Sequence, residues 1–442
     1  MGIFENQRFH ASAMMHPKKI IFYTIGCRTN QSETASLKNS FKEHGFLIVY
    51  NNSMADIALV NTCTVTENSD HDCRKLVNRL IRANPKINIA LIGCQAQLQH
   101  TQLIEWPNVK WVIGNADKMH AALIIQKSLG NKSKQTIIKP LNTRSFSVQY
   151  PGIDKKRTRA NLKVQDGCNS FCHYCIVPYA RGPARSRVFA DIIKEACVLA
   201  KSGYKEIVLT GINIGCYKYK NKNIADIIKE LINITAIERI RISSIEPTTI
   251  PHEILTIMAQ SRKLCRHLHI PIQSGDDEIL KLMNRKYSTK DFTDFIIKAI
   301  HTVAGIFIGS DIIVGFPGET ERHFNCTYRF LTKTPINYLH VFSYSKRNST
   351  LGAKMPGDIP IKTIQARSRT LRKLSLDKRL NFYRDLLGSR QRVLFENKKN
   401  GYWRGFSDQY IPVLVKSDND LSNQFKKVTL MEIINDKIIG HL

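Results

Sequence analysis

Cys168, Cys172 and Cys175 sit in the stretch "DGCNSFCHYCIVPYARG", residues 166–182, and bring three thiols together at C-x3-C-x2-C spacing. Thiols so close in a reducing compartment point to metal binding rather than disulfides. Their number is the informative feature. A structural zinc site closes with four ligands, so a zinc reading has to recruit His173 or a distant residue. The x3/x2 spacing is also not a usual zinc pattern. An iron–sulfur cube has four irons, and protein thiolates usually take all four. Cysteines at i, i+4 and i+7 on a loop after a strand can wrap three corners of such a cube. The missing fourth thiol then reads as a vacancy, an iron left open for a substrate or cofactor.

A second trio, Cys27, Cys63 and Cys94, is scattered in sequence but shares a local setting. Each cysteine ends a strand-like apolar run: "KKIIFYTIGC", "DIALVNTC" and "NIALIGC". Helix-like stretches such as "NQSETASLKNSFKEHG" lie between the runs. Residues 18–130 therefore read as a Rossmann-like α/β domain with a parallel sheet. Ligands of such sheets sit at the carboxyl ends of the strands, where all three cysteines fall. Three unrelated core cysteines are the competing reading, because free Cys is often buried. The common placement near Gly26, Asn61 and Gly93 favours a shared site. Cys73, Cys197, Cys216, Cys265 and Cys326 lie mostly within helix-like or strand-like patterns and read as core or neutral.

Bulk properties narrow the class of protein. With 442 residues, 43% hydrophobic and 23% charged, the chain reads as a soluble globular protein of three domains. Lys and Arg number 66 against 36 Asp and Glu, a formal charge of +30 that points to a polyanionic partner, nucleic acid first. A Lys- and Ile-rich genomic bias is the competing explanation. The start, "MGIFENQRFHASAMMHPKK", lacks an apolar secretory core. No later run approaches the ~18 apolar residues of a membrane span, so a cytoplasmic protein without membrane association is expected. Residues 1–16 read as a loose tail, with Met14 or Met15 as an alternative start.

After a polar, basic linker over residues 131–155, six strand-like runs alternate with helix-like stretches. They are "RANLKVQDG", "EIVLTGINIG", "RIRISSIEP", "HLHIPIQSG", "GSDIIVGFPGE" and "YLHVFSYS". Six such units predict a partial (β/α)6 barrel, which with the basic helix at 362–386 fills residues 154–386. Residues 387–442 carry short strand-like runs with "NKKNG" and "SDND" turns and predict a small C-terminal β-barrel. Its rings Tyr402, Trp403, Phe406 and Tyr410 suit either base stacking or the core of a small domain.

The segments "TIGCRTNQSET", "NTCTVTENSD", "LIGCQAQ", "VQDGCNSFCHYCIVPYARGPARSR", "HIPIQSGDDEILKLMNR" and "DIIVGFPGETERHF" closely resemble the methylthiotransferases of the radical S-adenosylmethionine class. The resemblance spans nearly the whole chain, in the domain order of that family, whose C-terminal barrel is the TRAM domain. It implies two [4Fe-4S] clusters, one on Cys168, Cys172 and Cys175 and an auxiliary one on Cys27, Cys63 and Cys94. It also implies an S-adenosylmethionine (SAM) pocket formed by Tyr174, Gly211, Ser243, Ser244, Glu246 and Gln273, near Gly215 and Ser274 at other strand ends.

The implied reaction starts with one electron, from a donor such as flavodoxin or ferredoxin, cleaving SAM to a 5'-deoxyadenosyl radical. That radical removes hydrogen from C2 of adenosine 37 in a tRNA anticodon loop, a bond that side-chain acid–base chemistry cannot break homolytically. Sulfur from the auxiliary cluster and a methyl group from a second SAM complete the product. "NTCTVT" and "PYARGPARSR" resemble the branch acting on N6-threonylcarbamoyladenosine. The branches acting on N6-isopentenyladenosine or on a ribosomal protein fit less well, since the C-terminal barrel is basic around Arg390, Arg392, Lys398, Lys399, Lys426 and Lys427. Arg181, Arg185 and Arg187 are expected to meet tRNA phosphate in preference to carboxylates. A non-catalytic iron–sulfur RNA-binding protein is the alternative from another class.

Overall fold

Short apolar runs early in the chain assemble one parallel sheet of strands β1 (Lys19–Thr24), β2 (Leu47–Ile48), β3 (Ile57–Thr62), β4 (Asn88–Gly93), β5 (Val109–Ile113) and β6 (Gln135–Ile137). The structure, a computed structural model, describes residues 17–442; the expected tail with Met14 and Met15 lies outside the described residues. Strand order is β2-β1-β3-β4-β5-β6 with every neighbouring pair parallel. β3 is buried at every position, as a strand covered on both faces requires. The helices Arg28–Glu43 and Ala121–Lys127 cover one face through Leu37, Phe41 and Ile125. Glu67–Ala83 covers the other through Val77 and Leu80. Chain order reverses between β1 and β3, which opens a crevice at their carboxyl ends. β6 comes from the segment expected to be linker, so the sheet runs past residue 130.

The next strands are β7 (Arg159–Lys163), the antiparallel pair β8 (Gln165–Asp166) and β9 (Arg185–Ser186), β10 (Glu206–Thr210), and a small hairpin of β11 (Lys218–Tyr219) and β12 (Lys222–Asn223). They are followed by β13 (Arg239–Ile242), β14 (His267–His269), β15 (Phe307–Val314) and β16 (Tyr338–Ser343). β7-β10-β13 and β14-β15-β16 are parallel, and the bridges Ile240↔Leu264 and Ser244↔His269 join the two halves. Six parallel strands in chain order thus form the partial barrel that the alternating pattern predicts. Ile207, Leu209, Ile240, Leu268 and Ile308 pack outward with the surrounding helices. The alternate positions, among them Glu206, Arg239, Arg241, His267, His269 and Asp311, face inward.

The helix Ile361–Asp385 lies along β16, where the Ser375 hydroxyl accepts from the Leu339 amide at 2.8 Å. It leads into a closed five-stranded barrel of β17 (Arg390–Lys399), β18 (Tyr402–Phe406), β19 (Pro412–Lys416), β20 (Phe425–Ile434) and β21 (Lys437–His441). Asn435 and Asp436 both adopt positive φ in the β20–β21 turn, so "KVTLMEII" and "KIIGH" form a tight hairpin. This barrel caps the amino end of the larger one. Arg239 donates to the Phe406 carbonyl at 3.0 Å, and Arg241 to the Asp408 and Ser407 carbonyls at 2.9 and 3.0 Å. Glu206, wholly buried, pairs with both arginines. Trp403 and Phe406 are buried and Phe406 stacks on Tyr410, so these rings pack the core and the inter-barrel contact instead of lying open for bases. Arg390, Arg392, Lys398, Lys399, Lys426 and Lys427 are exposed.

Candidate functional site

Cys27, Cys63 and Cys94 follow β1, β3 and β4, three neighbouring strands of one sheet, so the parallel topology brings distant residues to one edge. Two glycines make the approach possible. Gly26 has φ +106°, and a Cβ there would stand 2.5 Å from the Cys63 Cβ. Gly93 has φ +97°, and its Cβ would meet Asn61 Oδ1 at 2.6 Å. Cys63 and Cys94 are buried while Cys27 is exposed, so the site has an open side. Burial, then the neighbouring Cys94 and Cys27, push the Cys63 thiol up to about 11. Asn115 Nδ2 donates to Cys94 Sγ at 3.7 Å, and Cys27 Sγ lies 3.6 Å from Asn30 Oδ1.

The second trio occupies the loop between β8 and β9. Burial, together with Cys172 and Cys168, pushes the Cys175 thiol up to about 12. Arg285 Nη1 donates to Cys172 Sγ at 3.3 Å and to the Tyr174 hydroxyl at 3.2 Å, and its Nη2 pairs with Glu246. Burial raises the Glu246 carboxyl above its ordinary range, with Arg285 opposing the shift and Asp311 adding to it. His173 donates its Nδ1–H to the Leu282 carbonyl at 2.7 Å, which fixes the orientation of the ring.

The other residues expected around SAM are less uniform. Gly211 follows β10, with the Gln165 side chain below it. Ser243 Oγ is buried and has no hydrogen-bond partner among the described residues. Ser244 is exposed and pairs by its backbone with His269. Gln273 is 8% exposed and holds φ +76°, a conformation maintained by backbone bonds to Asp311 and Ile313. Structure therefore joins Tyr174 and Glu246 to the thiol loop through Arg285, and it does not draw Ser244 or Gln273 into that network.

Sequence reasoning missed several residues. Arg285 follows a helix-like stretch with no distinguishing spacing. His269 Nε2 lies 2.7 Å from Asp311 Oδ1 and its Nδ1 2.9 Å from the Tyr338 hydroxyl, a polar cluster set by barrel register alone. Cys216, expected to be neutral, is exposed near Cys168 and Glu246. The arginines of "YARGPARSR" require a correction. Arg181 pairs with Glu33 and Asp166, Arg185 with Asp166, and Arg187 with Asp191 and Glu195; Arg181 and Arg187 are each 1% exposed. Phosphate cannot reach such buried guanidiniums, and burial without a carboxylate would leave them uncompensated.

Both trios fit an iron–sulfur group by the chemistry of their donors. Each set of three thiols has a guanidinium nearby, Arg285 on Cys172 Sγ and Arg181 one Asn30 oxygen away from Cys27 Sγ, and the buried Ser243 hydroxyl lies at the rim that carries the Cys172 loop. Cys168, Cys172 and Cys175 would hold one group, and Cys27, Cys63 and Cys94 a second.

A three-thiol loop at the carboxyl rim of a partial (β/α)6 barrel defines a radical SAM enzyme. The family model described as Radical SAM superfamily matches residues 162–331, and the one described as Uncharacterized protein family UPF0004 matches residues 19–114. The chain is 35% identical to the threonylcarbamoyladenosine tRNA methylthiotransferase MtaB of Bacillus subtilis, over 96% of this chain and 98% of that protein. It is 36% identical to the MtaB of Aquifex aeolicus over 87% and 97%. It is also 32% identical to a tRNA-2-methylthio-N(6)-dimethylallyladenosine synthase of Thermodesulfovibrio yellowstonii, over 96% of both. Among solved structures it resembles the radical SAM methyltransferase TsrM from Kitasatospora setae, with a TM-score of 0.57 at 13% identity, covering 76% of this chain and 77% of that one. The chain belongs to the radical SAM methylthiotransferase family, and it is an enzyme of that class.

Proposed function

We propose that the protein converts N6-threonylcarbamoyladenosine at position 37 of tRNA to its 2-methylthio derivative, using SAM and two [4Fe-4S] clusters held by the six cysteines named above. The observation that carries this reading is the convergence of Cys27, Cys63 and Cys94 at three adjacent strand ends, in a region joined to the segment after Cys175 by Asn115 on the Ala180 carbonyl and Glu33 on Arg181. When bound, the clusters and SAM supply the radical that opens the adenosine C2–H bond and the sulfur that replaces the hydrogen. The chain's own residues position and shield these groups. Arg285 bonds the Cys172 sulfur, the Tyr174 hydroxyl and Glu246 at once, and the buried Ser243 hydroxyl would be a partner for SAM. Gly211 and Gln273, with Ser244, complete the proposed pocket at the strand ends.

The relatives named for tRNA modification and the exposed basic face of the small barrel support tRNA as substrate, with adenosine 37 presented by the anticodon stem-loop. A one-electron donor such as flavodoxin or ferredoxin completes the system. Among the described residues no helix is long and apolar enough to cross a membrane.

Two anticodon stem-loop RNAs, one carrying threonylcarbamoyl and one isopentenyl at adenosine 37, test the choice of substrate. The reconstituted enzyme is expected to methylthiolate the first at least tenfold faster. A preference for the second would move the protein to the dimethylallyladenosine branch.

A further inference from the structure

The two cysteine sites are separated by a layer of buried charge that does not balance. Glu33 contacts Lys118 and Lys163 at 2.6 Å each and Arg181 at 2.9 Å. Asp166 contacts Lys163 at 2.7 Å, Arg181 at 2.8 Å and Arg185 at 3.1 Å. Four cations thus share two carboxylates, leaving an excess of two positive charges among side chains at most 11% exposed. An uncompensated buried charge is strongly destabilising, so a fold that keeps two of them has a counter-charge elsewhere.

Hydrogen bonds show where that counter-charge belongs. Arg181 Nη2 donates to Asn30 Oδ1 at 2.5 Å, and that same oxygen lies 3.6 Å from Cys27 Sγ. Lys118 Nζ donates to Asn115 Oδ1 at 2.7 Å, while Asn115 Nδ2 reaches Cys94 Sγ at 3.7 Å and the Ala180 carbonyl at 2.6 Å. On its other side the network ends at Asp166, two residues before Cys168. Glu33, Asn30, Asn115 and Lys118 come from the N-terminal sheet region, whereas Lys163, Asp166, Arg181 and Arg185 come from the large barrel. The layer therefore fixes one site against the other.

We propose that this buried excess of positive charge is the built-in counter-charge of the Cys27, Cys63 and Cys94 site and sets the reduction potential of the iron–sulfur group held there, with Arg181 as its principal positioning residue. The inference rests on the reading that those three cysteines hold such a group. Cluster potentials follow net charge and the hydrogen bonds around the sulfurs. Reduction adds a negative charge, which nearby cations stabilise and nearby carboxylates oppose. Loss of a cation must lower the potential, and loss of a carboxylate must raise it.

The test uses the full-length chain carrying Cys168→Ala, Cys172→Ala and Cys175→Ala, so that only the auxiliary site reports. After anaerobic reconstitution, its midpoint potential is read by redox titration with electron paramagnetic resonance. Arg181→Gln is expected to shift the midpoint to more negative values and Glu33→Gln to more positive ones. The double variant is expected to fall between them, and Arg181→Lys to stay near the parent. A merely structural role would move Arg181→Gln and Glu33→Gln in the same direction. If Arg181→Gln yields no folded protein, Lys118→Gln must show the same negative shift. Shifts of one sign, or none, with about four irons still bound overturn the inference alone. A parent that takes up no iron overturns the reading of the trio and the inference with it.

Discussion

The two cysteine sites reach the same donor set by opposite routes. Cys168, Cys172 and Cys175 come from one loop between β8 and β9, tied across the barrel by Arg285 on Cys172 Sγ, by His173 on the Leu282 and Met283 carbonyls, and by Asn284 on the Phe171 carbonyl. Cys27, Cys63 and Cys94 come from three crossover connections, and they meet because parallel strands β1, β3 and β4 are neighbours. A local site needs only its loop to be right. A distributed site needs the whole sheet, two glycines at positive φ, and a buried charge layer behind it. The local site should therefore fail only to direct changes, whereas the distributed site should be sensitive to the backbone around it.

The largest expected effect lies at the local site. Cys172→Ala should abolish 5'-deoxyadenosine formation, measured by chromatography of anaerobic reactions. Residual formation above background would show that two thiols suffice. Next comes Gly93→Val, which puts a branched side chain where even a Cβ would meet Asn61 Oδ1 at 2.6 Å and the Thr62 carbonyl at 2.9 Å. Iron per chain should fall by roughly half, with 5'-deoxyadenosine formation retained. An equal loss from both sites would contradict their independence.

An effect of intermediate size concerns the contact between the two barrels. Burial raises the Glu206 carboxyl, but Arg239, Arg241 and Arg159 overcome it and hold the group at about 2 instead of the ordinary 4.5. A folded value below the unfolded one stabilises the fold above pH 4.5, and that stabilisation is lost as pH falls toward 2. It amounts to on the order of 3 kcal/mol. Denaturant titrations between about pH 7 and pH 3 should show this loss in the parent and a flatter profile in Glu206→Gln.

The smallest effect belongs to the exposed face of the small barrel. Lys426→Ala with Lys427→Ala should weaken tRNA binding a few-fold and reduce its salt slope by about 0.7 to 0.9 for each phosphate that is no longer neutralised. An unchanged slope would place the RNA on another surface.

What the sequence disclosed follows the same division. The Cys168 loop was legible because its three cysteines are local. The barrel was legible because six strand and helix units repeat in order, and the sheet positions of Cys27, Cys63 and Cys94 because each closes an apolar run. Pairings between distant segments were not legible. Nothing in "YARGPARSR" shows that Arg181 meets Glu33 across the interface, since an arginine bound for phosphate and one bound for a buried carboxylate look alike in sequence. The pairing of Arg285 with Glu246 and that of His269 with Asp311 depend on tertiary packing in the same way. The short β6 and β21 were missed as well. β6 lies in a polar segment, and β21 is five residues that become a strand only when β20 turns back on them.

The central claim is that two cysteine sites hold two clusters with separate tasks. Its most direct test compares the parent with a Cys27→Ala/Cys63→Ala/Cys94→Ala variant after anaerobic reconstitution, following iron per chain, 5'-deoxyadenosine and thiolated tRNA. Roughly eight irons falling to about four, with 5'-deoxyadenosine kept and thiolated tRNA lost, is the predicted result. About four irons in both proteins would contradict the account and return Cys27, Cys63 and Cys94 to ordinary strand-end residues.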